Sequence, residues 1–357
     1  MTTHELKQLH LDVFSGRSSY IPLLVNVKGP WDGHTDWDQI HDPAKALETF
    51  LLRNENTLQM DSDLIPAITC GFAQILPYIV FGAQPELTSS GEVAVKAVFS
   101  SIDEALEVEP ALRGEWFDRT VDYLGYLMDH VPPGVEVMAD LHFSPLDVGV
   151  MLRGSGFYLD LMEEPDKATL FMNRWLKVLI QHTRLCKETI GEDKECGLNC
   201  RGMFMPGIRV VWDAIVNLQP SLIETMMMPH AAEIRKNFGP VLIHYCTGND
   251  TGGFYADPKH VLRTIQHSKD FLAIDNHNGY ESACNGDAEL LLQSEMGVIT
   301  RITSEEVQQV GKLCMKPFFA DVPRKNGRPL AFALTVDSVA EGRELFDMWR
   351  QQFYSPN

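Results

Sequence analysis

His244 and Cys246 stand one residue apart in the stretch Gly239-Pro-Val-Leu-Ile-His-Tyr-Cys-Thr-Gly-Asn-Asp250. An imidazole and a thiolate suit zinc better than a hard cation. Residues i and i+2 of a strand point to one face, so this pair can converge on a single point. The stretch opens with a turn signal, Gly239-Pro240, and continues through the apolar run 241–243, the pattern of a fully buried strand. A zinc site needs at least three protein ligands. Two residues alone therefore fit equally a buried Cys beside a hydrogen-bonded His.

The elements that must position this pair follow from periodicity. Residues 3–14 read as a short amphipathic helix and 21–27 as the first strand, leading into a polar, aromatic loop at 29–37. A helix is expected from Asp42-Pro43, a cap-plus-Pro start, to about residue 58. Residues 64–83 read as a strand or turn followed by a helix, and the alternating run 92–99 as a half-exposed strand in a hairpin excursion. Helices are expected at 115–130, 146–152 and 165–190, with a core strand at 135–141 ending at His142. Strands at 207–212, 241–245, 271–275, 297–302 and 329–336 then alternate with helices at 220–236, 258–268, 281–295, 304–316 and 339–353. Such alternation indicates parallel βαβ units, and roughly eight of them close a barrel. The fold expected is α/β, a (β/α)8 TIM barrel with an N-terminal excursion, formed by residues 1–357 as a single domain.

Topology sorts the titratable residues, because barrel active sites lie at the C-terminal ends of the strands. His142, Asp213, His244, Cys246, Asp275, His277 and Asp337 all follow strands and would ring one mouth, and Cys284 could fold back over it. The metal ligands expected are His244 and Cys246, completed from Asp275, Cys284, Asp213 or His277. Asp213 and His142 are the expected acid–base groups, although a strand-end Asp commonly caps the next helix instead. Cys196 and Cys200 precede a strand, so they belong near the opposite face. His182 lies on the apolar stripe of the longest helix and reads as packing.

The formal net charge of −19 argues against nucleic acid and anionic membranes as partners. A highly anionic substrate would need a local basic pocket. Seven irregularly spaced cysteines make no disulfide framework, and the polar N-terminus has no apolar signal core. The most apolar window, 72–83, is too short to span a bilayer. A reduced, cytoplasmic setting is expected.

Several segments resemble the uroporphyrinogen decarboxylase superfamily: Ser144-Pro145-Leu146, Leu152-Arg-Gly154, Asp160-Leu-Met-Glu-Glu-Pro165, Trp212-Asp213 with Gln219-Pro220, and Ile243-His-Tyr-Cys-Thr-Gly248. The decarboxylase's N-terminal Arg-rich motif is absent; that region reads Val25-Asn-Val-Lys-Gly-Pro-Trp31. Its pyrrole-binding Asp falls on Gln74, which cannot supply a negative charge. The likeness therefore implies the zinc-containing, cobalamin-dependent methyltransferase branch. Coenzyme M methylases use a His-x-Cys pair plus a Cys after the last strand, where this chain has Thr335-Val-Asp337. Methoxyaromatic O-demethylases use mixed carboxylate, His and Cys ligands, which Asp275 and Cys284 would suit. The resemblance implies a zinc ion, a cobalamin carried by a separate corrinoid-binding protein, and a small methyl donor or acceptor contacted by Gln74, Trp212 and His277. The alternative is a decarboxylase or metal-free lyase using Asp213 and His142.

Overall fold

The computed structural model describes residues 1–30, 36–72, 75–84, 86–87, 93–94, 97–139, 142–245, 259–276, 296–308 and 329–353. The strands, in chain order, are β1 (Leu23–Val27), β2 (Ala67–Ile68), β3 (Glu86–Leu87), β4 (Val93–Ala94), β5 (Glu136–Val137), β6 (His142–Phe143) and β7 (Cys196–Leu198). They continue as β8 (Phe204–Pro206), β9 (Ile208–Val211), β10 (Val241–His244), β11 (Phe271–Asn276), β12 (Gly297–Ile302) and β13 (Leu330–Val336). Seven of them form one parallel sheet in the order β1-β13-β12-β11-β10-β9-β6. β5, from the same stretch of chain as β6, pairs in parallel with β2. Two antiparallel hairpins, β3–β4 and β7–β8, complete the pairing among the described residues.

The two-residue period divides the large sheet into two faces. Leu23, Val25, Val210, Ile243, Val298 and Phe332 point to a face covered by helices, chiefly Pro165–Ile190, Met228–Phe238 and Val339–Phe353. Leu24, Leu242, Ala273, Ile299 and Ala331 point the other way, where they bury Met203 and Met205 of the β7–β8 hairpin. Each large side chain removed from water here contributes about 1.5–3 kcal/mol. Two glycines seat the hairpin. Gly207, which turns it into β9, has φ +83°, and a Cβ there would lie 1.6 Å from the Pro240 carbonyl oxygen. Gly202 at its tip has φ +74°, and a Cβ would lie 2.8 Å from the Ile65 carbonyl oxygen. Its own carbonyl accepts the Ile65 N–H at 2.8 Å.

The free edge of β1 is capped by side chains. Val27 N–H donates to Thr57 Oγ1 at 2.9 Å, Leu23 N–H donates to Asp63 Oδ2 at 2.9 Å, and Ser62 Oγ donates to the Val25 carbonyl at 3.5 Å. No ladder joins β1 to β2 among the described residues. Backbone groups that another strand would otherwise pair are satisfied by polar side chains of 57–63.

Most helices lie where periodicity places them. Thr3–Phe14 begins with a capping box between Thr2 and Glu5, and Pro165–Ile190 ends at left-handed Gly191. The expected helix 220–236 is instead broken into Pro220–Leu222, a π-helical turn at Ile223–Met227, and Met228–Phe238. Pro229 has no N–H to continue the ladder, and the widened turn before it absorbs the missing bond. The expected helix 281–295 and the later part of 304–316 lie outside the described residues. No described helix is long and apolar enough to cross a membrane.

Candidate active site

All strands of the large sheet are parallel, so their C-terminal ends share one rim. His244 is the last residue of β10 and pairs in register with Val211 on one side and Asp275 on the other. It is buried, and it stands between two carboxylates. Its Nδ1 lies 2.9 Å from the backbone oxygen of Asp275 and 3.2 Å from Asp275 Oδ2. Both are acceptors, so in the neutral imidazole Nδ1 carries the hydrogen and Nε2 presents its lone pair. Asp213 Oδ1 lies 3.8 Å from that Nε2. This is too long for a hydrogen bond and short enough for one small ion or reacting atom to sit between them.

Asp213 opens the turn after β9, and its side chain is 46% exposed, so it reaches solvent at the rim. Two hydrogen bonds fix its place. Trp212 N–H donates to the His244 carbonyl at 2.7 Å, and Ala214 N–H donates to Asp147 Oδ1 at 2.8 Å. Asp147 is the third residue of the helix Pro145–Arg153, capped by Ser144, whose hydroxyl donates to Asp147 Oδ2. Burial pushes the Asp147 carboxyl up to about 7; the bonds from Ser144 and Ala214 oppose the rise, and the charge of Asp213 adds to it.

Asp275 is 1% exposed and accepts from Arg209 Nε at 2.7 Å and from Arg201 Nε at 3.1 and 3.3 Å. Burial raises its carboxyl, but Arg209, the His244 hydrogen bond and Arg201 outweigh that and hold it well below the usual carboxylate range. Arg209 enters from the second position of β9, and Arg201 from the tip of the β7–β8 hairpin. Asp275 was expected as a metal ligand. Its carboxylate is instead committed to two guanidinium groups and the imidazole, the position of a group that orients a ligand.

Two further expected residues lie away from the rim. His142 does not reach the rim: it is buried within β6, with Nδ1 3.2 Å from Thr183 Oγ1 on the helix Pro165–Ile190. Trp212 is 0% exposed and packs edge-on against Phe271, with centroids 5.9 Å apart, on the helix-covered face. Neither side chain can touch a ligand at the rim. His182 packs as expected, against Phe117 and within hydrogen-bond reach of Thr120. Gln74, Cys246, His277 and Cys284 lie outside the described residues. No group of three potential metal ligands occurs among the described residues.

A cavity of about 240 Å³ opens on the hairpin face beside this site. Leu24 and Asn26 of β1, Arg301 of β12, Ala333 and Thr335 of β13, Phe50 and the hairpin tip around Arg201 line it. The deeper residues of that face are apolar and buried, whereas Asn26, Arg301 and Thr335, nearer the rim, are exposed. Arg201 bounds the cavity and also contacts Asp275, which links the cavity wall to His244 through the Asp275 carboxylate. The three arginines were not singled out from the sequence. For Arg209 and Arg301 the signal is a charged residue inside an apolar strand, as in Ile208-Arg-Val-Val211 and Gly297-Val-Ile-Thr-Arg-Ile302; Arg201, at the hairpin tip, carries no such signal.

No known family profile matches the sequence, and no curated protein sequence does. Among solved structures, the fold is similar to that of a methyltransferase from Methanosarcina mazei. The TM-score is 0.59 at 12% sequence identity, over 98% of this chain and 99% of that one. At that identity the likeness is one of fold, and it extends along the whole length of both chains.

Proposed function

We propose that the chain is a methyltransferase of a corrinoid-dependent system, built on an open-seamed (β/α)8 barrel of residues 1–357. It would transfer a methyl group between a small substrate, such as a methoxyaromatic ether, and cobalamin on a docked corrinoid-binding protein. The observation that carries this reading is His244, oriented by Asp275 so that Nε2 faces the rim. The full-length likeness to a methyltransferase supports it.

The donor chemistry of the described part of the site fits zinc. A metal-bound imidazole characteristically donates its other N–H to a carboxylate or carbonyl oxygen, as His244 does to Asp275. His244 and Cys246 would hold the ion, with Cys284 the further candidate. Bound zinc would supply Lewis-acid polarisation of an ether oxygen or activation of a thiol. The chain's own residues do the rest. Asp275, braced by Arg209 and Arg201, keeps the Nδ1 hydrogen in place and the ring fixed. Asp213, half-exposed at 3.8 Å from Nε2, would receive or return a proton at the leaving or attacking oxygen. The buried base of the hairpin face keeps water from beneath the reacting groups.

The test is turnover. Purified protein is mixed with free cob(I)alamin and a panel of aryl methyl ethers and methyl thioethers, and methylcobalamin formation is followed by absorbance. Wild type should form it from at least one member, and His244→Ala should not. Equal rates for wild type and His244→Ala would reject the reading.

A further inference from the structure

Arg301 is the next-to-last residue of β12, on the hairpin face near the rim; it is exposed and forms no ion pair or hydrogen bond with any described residue. Arg201 and Arg209, by contrast, share the Asp275 carboxylate. A guanidinium carried into a cavity without a counter-charge is a binding group in search of an anion. Two further donors stand beside it. Asn26 spends its Oδ1 on the Thr57 hydroxyl at 2.7 Å, and its NH₂ group has no partner among the described residues. Thr335 is its register partner on β13, and its hydroxyl likewise has none. Leu24, Phe50, Leu64 and Ile65 give the cavity an apolar part, and Asn54, Asn199 and Arg201 add polar groups to its wall.

Register places this cluster against the reacting centre. Asp275 pairs with Ile299, and Arg301 is the next residue on the same face of β12, one step nearer the rim. Arg301 and His244 are two strands apart, about 10 Å across the sheet at the usual strand spacing. Both residues belong to the same face of the sheet, with Asp275 on the strand between them and Arg201 on its carboxylate.

We infer that this cavity is a subsite for a small organic anion of carboxylate type, gripped by Arg301 with Asn26 and Thr335. The apolar walls would hold its body and turn the far end toward His244. The inference rests on the methyltransferase reading for what happens at that far end, but not for the binding itself. On a chain of net charge −19 the positive charge such an anion needs is local.

Calorimetric titration with benzoate and with its neutral analogue benzamide tests it. Benzoate should bind wild type at least tenfold more tightly than benzamide, and more weakly as salt rises. Arg301→Gln should weaken benzoate about ten- to a hundredfold and leave benzamide unchanged, with Arg301→Lys in between. An exposed, unpaired side chain carries no folding load, so these variants should keep the wild-type melting temperature. Equal affinity for the two probes, no benzoate binding, or full benzoate affinity in Arg301→Gln would overturn the inference. His244→Ala separates it from the functional reading: benzoate affinity should persist there while turnover is lost. Benzoate binding without turnover in wild type rejects the methyltransferase alone, and turnover without benzoate binding rejects the anion subsite alone.

Discussion

The imidazole of His244 is clamped by Asp275 through two contacts, 2.9 Å from Nδ1 to the backbone oxygen and 3.2 Å to the carboxylate. The carboxylate in turn is fixed by Arg209 at 2.7 Å. A buried pair of this kind is worth most when broken, because a charge is then left unpaired. Asp275→Asn removes the negative charge from two guanidinium groups at once. It should cost about 3–5 kcal/mol in urea unfolding and weaken zinc binding about 10- to 100-fold. Unchanged stability would show that the carboxylate is not the anchor of the site.

The capped edge of β1 gives a second prediction. Thr57 is buried, and its Oγ1 accepts the Val27 N–H at 2.9 Å. Thr57→Val keeps the shape and orphans that donor, which should destabilise the fold by about 1–3 kcal/mol. Thr57→Ser restores the oxygen and should recover most of the loss. Equal melting temperatures for Val and Ser variants would contradict the account of the edge.

The alternating order of strands and helices was legible because each strand is a short apolar run bounded by turn residues, and each long helix carries a clear stripe. Pro165–Ile190 and Val339–Phe353 fall at their expected limits for that reason. The β7–β8 hairpin was not legible. Its three-residue strands are too short for a period, and its methionines look like any core residue until they are seen under the sheet. Periodicity placed His244 and Asp213 together at one rim, but it could not tell which face a residue at a strand end would take. The structure places Trp212 and His142 away from that rim. Trp212 shares the helix-covered face with Val210, and His142 sits inside β6 facing the helix behind it. The roles within the Asp275 cluster were hidden as well, since its arginines come from 66 and 74 residues away.

Trp212 makes a third prediction. The ring is fully buried, and its Nε1 has no hydrogen-bond partner among the described residues. Trp212→Ala should cost about 3–5 kcal/mol through the cavity it leaves. Trp212→Phe also removes an unsatisfied donor and should cost less than about 1.5 kcal/mol, with KM unchanged. A selective rise in KM for Trp212→Phe would mean that the ring touches substrate after all.

Asp147 makes stability depend on pH in a definite direction. Its folded pKa of about 7 lies above the ordinary 3.8. The folded chain therefore holds the proton more tightly, and this contribution is fully present below about pH 4 and lost as pH rises through 7. Its size is on the order of 4 kcal/mol. Asp147→Asn keeps an acceptor for Ala214 N–H and a donor for Ser144, and it cannot ionise. Relative to Asp147→Asn, wild type should therefore lose stability between pH 4 and pH 8, by denaturant unfolding at matched ionic strength. A difference that stays flat across that range would place the Asp147 proton elsewhere.

The most direct measurement of the central claim is the zinc content of the purified protein, wild type beside His244→Ala and Cys246→Ala, each first shown by circular dichroism to be folded. Near one zinc per chain in wild type, and loss of most of it in both variants, is the predicted result. Wild-type protein that takes up no zinc from a zinc-containing buffer, or variants that hold it as well as wild type, would contradict a zinc-assisted site at His244.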